Sequence, residues 1–346
     1  MKENSKQKRI AAAVITAGGL LVAREVVRRS RAMSFRDRVV LITGGSRGLG
    51  FVIARRLAGE GARLALVART ADDLEAAGAR LREMGADVLT IPCDVGDREQ
   101  ASAAIRQVVQ HFGRLDVLMN VAGVIQVGPV QHMEYEDFQH AMAVHFWGPL
   151  HTMLAAIPHM SGRGGGRIVN ISSIGGRVAV PHLAPYSASK FALVGLSEAL
   201  TAELATEGIV ITTVSPGLMR TGSPLRAGMK GNHEAENAWF TVLDSLPLVA
   251  IDADRAAVKI IDACRHGDAD MTITPQAKLA AAAHGFAPGL MTRLMTIANW
   301  LLPMPVGPEG NRVKEGRESE STLTRSPLTA LTRRAARRNN ERVEAH

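Results

Sequence analysis

From Arg38 onward the chain alternates short apolar runs with longer stretches of helical spacing. Val39–Thr43 is apolar and β-branched, Leu49–Glu60 repeats apolar positions at helical intervals, Arg63–Ala68 reads as a second strand and Ala71–Met84 as a second helix. Asp87–Pro92, Val117–Val121, Arg167–Ser172 and Val210–Ser215 continue the strand series, with segments between them long enough for crossover helices. Short apolar strands alternating with helices predict a parallel sheet covered on both faces, a doubly wound α/β domain. Such sheets bind ligands beyond the carboxyl ends of their strands, where the strand order reverses.

The pattern changes at both ends and once in between. Ile10–Ala23 is an uncharged, mostly apolar run between basic residues. It is shorter than the roughly 20 residues of a membrane span, and Leu21-Val22-Ala23 makes a poor signal-peptide cleavage site. An uncleaved anchor, an interfacial helix and a helix packed on the protein itself all fit. Heavier positive charge after the run would leave the main domain membrane-associated on the cytoplasmic side. Residues 218–250 hold Gly222, Pro224, Gly228, Gly231 and Pro247 among Leu218, Leu225, Trp239, Phe240, Leu243 and Leu246, the composition of a mobile insert with an apolar inner face. Asp252–Arg265 reads as a helix, and residues 276–304 are apolar with breaks at Pro288 and Pro303. From about Gly307 the chain is polar and basic, and disorder is expected. The predicted organisation is an N-terminal extension over 1–35, a catalytic domain over 36–275, an apolar helical extension over 276–306 and a basic tail over 307–346.

Composition supports a globular chain: 46% of its 346 residues are hydrophobic and 21% charged. Aromatic residues are only 4%, so the core must be built from Ala, Val, Leu and Ile. Cys93 and Cys264 give neither metal spacing nor a disulfide framework, and read as buried thiols. The net charge of +8 raises the question of nucleic acid, but the positive charge gathers at the ends. Lys2, Lys6, Lys8 and Arg9 lie at one end, and Arg325, Arg333, Arg334, Arg337, Arg338 and Arg342 at the other. No basic stripe interleaved with aromatics crosses the middle, so a nucleic-acid groove is not expected. An anionic membrane surface is the better charged partner, and solvated tails with no partner fit the same charge equally well.

Thr43-Gly44-Gly45-Ser46-Arg47-Gly48-Leu49-Gly50 follows the first strand and opens the first helix. Glycines there permit a tight turn and close approach of backbone N–H groups to a pyrophosphate at a helix N-terminus. An NAD site usually ends its second strand with an acid for the ribose 2′-hydroxyl. Here that strand ends Ala68-Arg69-Thr70, and Arg69 and Arg47 both suit a 2′-phosphate, which favours NADP. Asp94-Val95 is placed to cap the adenine pocket. Asn120-Val121-Ala122-Gly123, at the end of the fourth strand, offers small residues beside the cofactor, although plain turn chemistry accounts for it equally well.

Tyr186 and Lys190 lie four residues apart at the start of a long helical pattern, hence on one helix face. A tyrosine with an ordinary pKa near 10 transfers protons poorly at neutral pH, and a neighbouring ammonium would favour its phenolate. Ser173, on the loop after Ile168–Ser172, supplies a hydroxyl for the reacting oxygen; Ser172 is the alternative. Together with Pro216-Gly217 leading to Thr221, these motifs stand in the order of the short-chain dehydrogenases/reductases, which the chain resembles from about Arg36 to Thr274.

The resemblance implies a seven-stranded Rossmann sheet and hydride transfer from a nicotinamide. It implies Tyr186 as general acid/base, Ser173 as the residue that orients substrate, Lys190 on the ribose, and Thr221 near the carboxamide and phosphates. Val121 replaces the second asparagine of the family's Asn-Asn-Ala-Gly motif. His145, in Val144–Gly148, stands where the family has an asparagine whose backbone holds a water linked to the lysine. Its imidazole is hypothesised to join that proton relay, with a pH dependence near neutrality. The expected function is a carbonyl reductase or alcohol dehydrogenase acting on a lipophilic small molecule, in a homo-oligomer. The alternative is a dinucleotide-binding regulator that has lost catalysis.

Overall fold

The structure, a computed structural model, describes residues 22–341. Seven parallel strands form the central sheet: β1 (Val39–Thr43), β2 (Arg63–Ala68), β3 (Val88–Pro92), β4 (Val117–Asn120), β5 (Gly166–Ile171), β6 (Ile209–Ser215) and β7 (Asp270–Thr272). Their spatial order is β3-β2-β1-β4-β5-β6-β7. The six strands expected from the pattern occur within a residue of their predicted bounds. β1 is buried along its whole length, and its alternate residues enter different layers. Val40 and Ile42 face a core shared with α1 (Gly48–Gly59), α2 (Ala71–Glu83) and residues of Ala253–His266. Val39 and Leu41 face the opposite core, with Arg98–Phe112, Gly148–Ser161 and Ala184–Leu204. Two-sided burial makes such a strand a near-continuous apolar run, here with Thr43 as the one polar residue at its end.

The order reverses between β1 and β4, where Thr43 pairs with Asn120. The glycine loop and the Asn120–Gly123 turn therefore lie side by side at the carboxyl edge. In chain order the remaining helices are α3 (Arg98–Phe112), α4 (Tyr135–Met142), α5 (Gly148–Ser161), α6 (Ala184–Leu204), α7 (His233–Ser245), α8 (Ala253–His266), α9 (Pro275–Phe286), α10 (Pro288–Asn299) and α11 (Ala330–Arg338). The insert over 218–250 carries α7, and its Ala227, Met229 and Phe240 form a small core with Val127 and Leu183.

The apolar segment 276–304 folds as the α9–α10 pair, broken at Ala287-Pro288 as expected, and leaves Leu279, Phe286, Leu290, Trp300 and Leu301 exposed. The described residues beyond Gly307 are not disordered. Lys314–Glu315 pairs antiparallel with Gly228–Met229, and α11 packs on α7. Polar composition misled the expectation because this segment docks through small side chains and hydrogen bonds. Thr332, Ala335 and Ala336 are the buried residues of α11.

Most of the N-terminal apolar run lies outside the described residues. Residues 22–30 are helical, with Val22 and Val26 exposed and Arg28 paired with Asp262 and Asp268 on the protein. Among the described residues no helix is long and apolar enough to cross a membrane. Cys93 and Cys264 are free and buried, and burial pushes their thiols up to about 11 and about 12.

Candidate active site

The glycine loop is closed on itself by backbone contact. Gly44 has φ +68°, and a Cβ on it would stand 2.8 Å from Ala122 Cα. A Cβ on Gly50 would stand 2.1 Å from the Gly44 carbonyl oxygen. No side chain fits at either place, and the turn sits tight against the end of β4. Thr43, the first residue of the motif, ties the two together, its hydroxyl accepting from Val121 N–H (3.0 Å) and Ala122 N–H (3.2 Å). Helix α1 begins at Gly48 without a side-chain cap, since its N-cap residue is Arg47. Such uncapped first-turn amides are anion receptors. Arg47 itself is paired with Asp73 at 3.2 Å. Arg69 is exposed just past the end of β2.

Asn120 is buried, donating to Asn170 Oδ1 at 2.9 Å and accepting from the Thr152 hydroxyl at 2.8 Å. Asn170 in turn donates to Ser197 at 2.9 Å. This side-chain chain ties β4, β5, α5 and α6 together beneath the cleft, so the side chain of Asn120 braces the sheet rather than facing a ligand. Asp94 Oδ1 accepts from Gly96 N–H, and Val95 is buried. The Pro216 carbonyl accepts from Ile174 N–H at 2.7 Å, joining that loop to the serine loop. Gly217 leaves room for Thr274, and the buried Thr221 hydroxyl accepts from Ser223 N–H.

Ser173, Tyr186 and Lys190 converge. Ser173 and Tyr186 stand on either side of Gly175, where a Cβ would lie 3.1 Å from the tyrosine ring and 3.5 Å from Ser173 Oγ. Lys190 is buried, donates to the Ile171 carbonyl at 2.8 Å and stands 5.8 Å from the centre of the Tyr186 ring. Burial, with no carboxylate partner among the described residues, pulls its ammonium from 10.5 down to about 7. Burial raises the Tyr186 phenol above its ordinary value, opposed by the Ser173 hydrogen bond. The expected depression of Tyr186 is thus not present: desolvation prevails. Ser172 is committed elsewhere, donating to the Lys190 carbonyl at 3.0 Å, which leaves Ser173 as the hydroxyl facing tyrosine.

His145 is buried beside this group. A wide π-helical turn over Ala143–Trp147 carries it inward, to 1% exposure. Its Nε2 accepts from Val124 N–H at 3.0 Å, so Nδ1 bears the proton and meets Ser189 Oγ at 2.8 Å. Burial and the nearby Lys190 hold it well below the ordinary histidine value. Both nitrogens are hydrogen-bonded, so this imidazole pins the Gly123–Val124 turn to α6.

Other participants escaped the sequence reading. Asn170 had a signal, a polar residue inside the apolar run Ile168–Ile171. Ser189 had none, since its partner lies 44 residues away. Nor did the C-terminal residues Asn339–Glu341, which are buried against the glycine loop. A cleft of about 550 Å³ between α6 and α10, lined by Ser187, Ala188, Phe191, Met291 and Met295, contains none of Ser173, Tyr186 and Lys190.

The family profile described as short chain dehydrogenase matches residues 38–228, more than half the chain. The uncharacterized oxidoreductase YxnA of Bacillus subtilis is 31% identical over 263 residues, 75% of this chain and 72% of that protein. A dehydrogenase/reductase SDR family protein 7-like of Anopheles gambiae is 32% identical over 267 residues, 76% of this chain and 82% of that protein. Among solved structures, a short-chain dehydrogenase/reductase of Burkholderia phymatum in complex with NAD superposes with a TM-score of 0.69 at 24% identity, covering 75% of this chain and 96% of that one. L-Sorbose reductase of Gluconobacter frateurii, complexed with NADPH and L-sorbose, gives 0.62 at 26% identity, covering 70% and 97%. The chain therefore belongs to the short-chain dehydrogenase/reductase family. Within it the chain is an oxidoreductase of the dehydrogenase/reductase type.

Proposed function

We propose that this enzyme interconverts a carbonyl and an alcohol on an apolar small molecule, with NADP(H) preferred and Tyr186 as the proton donor and acceptor. The observation that carries the reading is the convergence of Ser173 and Tyr186 about Gly175 with Lys190 buried beside the tyrosine ring, at the carboxyl edge of the sheet next to the glycine loop. A bound nicotinamide supplies or accepts the hydride. Gly44, Ser46, Arg47, Gly48, Leu49 and Gly50 would hold the phosphates; Asp94, Val95, Asn120, Ala122 and Gly123 would flank the adenine side and the sheet edge. Pro216, Gly217 and Thr221 would close the nicotinamide end. Absence of an acid after β2, with Arg69 exposed there, supports NADP over NAD.

In the reductive direction the phenol of Tyr186 gives its proton to the developing alkoxide. The Ser173 hydroxyl holds the same oxygen, and protonated Lys190 favours the phenolate left behind. Ile125, Val180 and Trp239 pack with Tyr186 on the small core of Val127, Met229 and Phe240, which supports an apolar substrate. The test is NADPH oxidation against a panel of ketones and aldehydes, comparing wild type with Tyr186→Phe. The expected result is turnover lowered by roughly 10²–10⁴-fold with NADPH affinity unchanged. Equal turnover in the two proteins would remove Tyr186 from the chemistry.

A further inference from the structure

The last described residues cross the cleft in which the proposed function places the dinucleotide. Helix α11 is seated on the insert: the Thr332 hydroxyl meets Ser245 at 2.7 Å, and a Cβ on Gly222 would stand 2.7 Å from Ala336 Cα. Beyond it, Asn339 Nδ2 donates to the Thr221 carbonyl at 3.2 Å, and the Asn339 carbonyl accepts from Gly48 N–H at 2.9 Å. Asn340, at φ +61°, donates to the Ser46 carbonyl at 2.7 Å and accepts from Arg80 at 3.1 Å. Glu341 lies 3.4 Å from Arg47, with Oε1 3.2 Å from where a Cβ on Gly48 would be. The segment thus bridges the Thr221 loop and the glycine loop, using the first amide of α1 and bringing a carboxyl group to its N-terminus.

That position is incompatible with a bound pyrophosphate. One Gly48 N–H cannot serve both the Asn339 carbonyl and a phosphate oxygen, and the Glu341 carboxyl fills the space beside the same residue. The docking is also incomplete. Among the described residues Asn339 Oδ1 is buried without a hydrogen-bond partner, Glu341 Oε2 has only the 3.4 Å approach of Arg47 Nε, and burial raises the Glu341 carboxyl to about 7 despite Arg47 and Arg226. Buried acceptors left unpaired are unfavourable, so release of the segment returns them to water. A lid lying over a bound cofactor would need space between itself and the loop, whereas here backbone bonds backbone.

We propose that Asn339–Glu341 is a displaceable strap that occupies the phosphate site, so that dinucleotide binding and release of the C-terminal segment form one coupled equilibrium. This rests on the glycine loop being the dinucleotide site. Affinity for cofactor is then reduced by the fraction of molecules with the strap docked, and occupancy of 90% or more corresponds to about tenfold or more.

The test uses the full chain. NADPH is titrated into wild type and into the triple variant Asn339→Gly/Asn340→Gly/Glu341→Gly, and hydrogen exchange of residues 330–341 in wild type is followed with and without saturating NADPH. The expected results are about tenfold or greater tightening in the variant and faster exchange over 330–341 on NADPH binding, with β1 unchanged. Equal or weaker binding by the variant, or increased protection of 330–341, overturns the strap while leaving the cofactor site intact. If neither protein binds NADPH or NADH, the proposed function falls with it. The exchange measurement on wild type decides the matter even if the triple variant fails to fold.

Discussion

Lys190 should be held in the fold at a cost to stability that depends on pH. It is 4% exposed, its only hydrogen-bond acceptor among the described residues is the neutral Ile171 carbonyl, and burial takes it from 10.5 to about 7. Below about pH 7 both the folded and unfolded chains carry the proton, and the whole cost of burying the charge is present. Between about 7 and 10.5 only the unfolded chain binds it, so stability rises with pH by about 1.4 kcal/mol per pH unit. Above 10.5 neither state is charged and the cost is gone. A fall from 10.5 to about 7 at that slope is on the order of 5 kcal/mol.

Lys190→Met keeps the length of the side chain and removes the charge. It also leaves the Ile171 carbonyl unpaired, at about 1 kcal/mol independent of pH. The variant should be more stable than wild type by roughly 4 kcal/mol at pH 6 and slightly less stable above pH 10, changing sign in between. Urea midpoints for the two proteins at fixed ionic strength, with no cofactor, give the difference, because titrating groups that do not interact with Lys190 cancel. A difference constant to within about 1 kcal/mol from pH 6 to 10 would show that the charge is compensated in the folded chain. The same variant should have lost turnover, which marks the residue as retained for chemistry at the expense of the fold.

Gly50→Ala drives a methyl group into the Gly44 carbonyl, and backbone cannot yield as a side chain would. A loss of about 1–3 kcal/mol in denaturant unfolding is expected, with dinucleotide binding abolished in a fluorescence titration. Arg69→Asp restores an acid after β2 and should shift the ratio of kcat/KM for NADPH over NADH by about tenfold or more toward NADH; an unmoved ratio would take Arg69 out of cofactor selection. His145→Asn should give a pH–rate profile that superimposes on wild type around neutral pH, because burial and the nearby Lys190 hold the imidazole well below its ordinary value.

The parts of the molecule that could be read from sequence are those whose burial is two-sided and local. Val39–Thr43 has a single environment, apolar on both faces, and its composition says so without reference to anything distant. Tyr186 and Lys190 share a helix face by periodicity alone, and the tight approach of Gly50 to Gly44 needs only seven consecutive residues. His145 is a different case. Whether an imidazole there relays a proton depends on Val124 N–H and Ser189 Oγ, which come from other segments and consume its nitrogens. The C-terminal segment is the extreme case: α11 presents only Thr332, Ala335 and Ala336 inward, so no apolar stripe announces its docking. Its contacts with the glycine loop are made by a backbone carbonyl, an amide side chain and a carboxyl some 290 residues from their partners. A site assembled from such polar long-range contacts leaves the same sequence signature as a solvated tail. The two differ physically in what happens to the Gly48 amide, which the tail covers and a pyrophosphate would require.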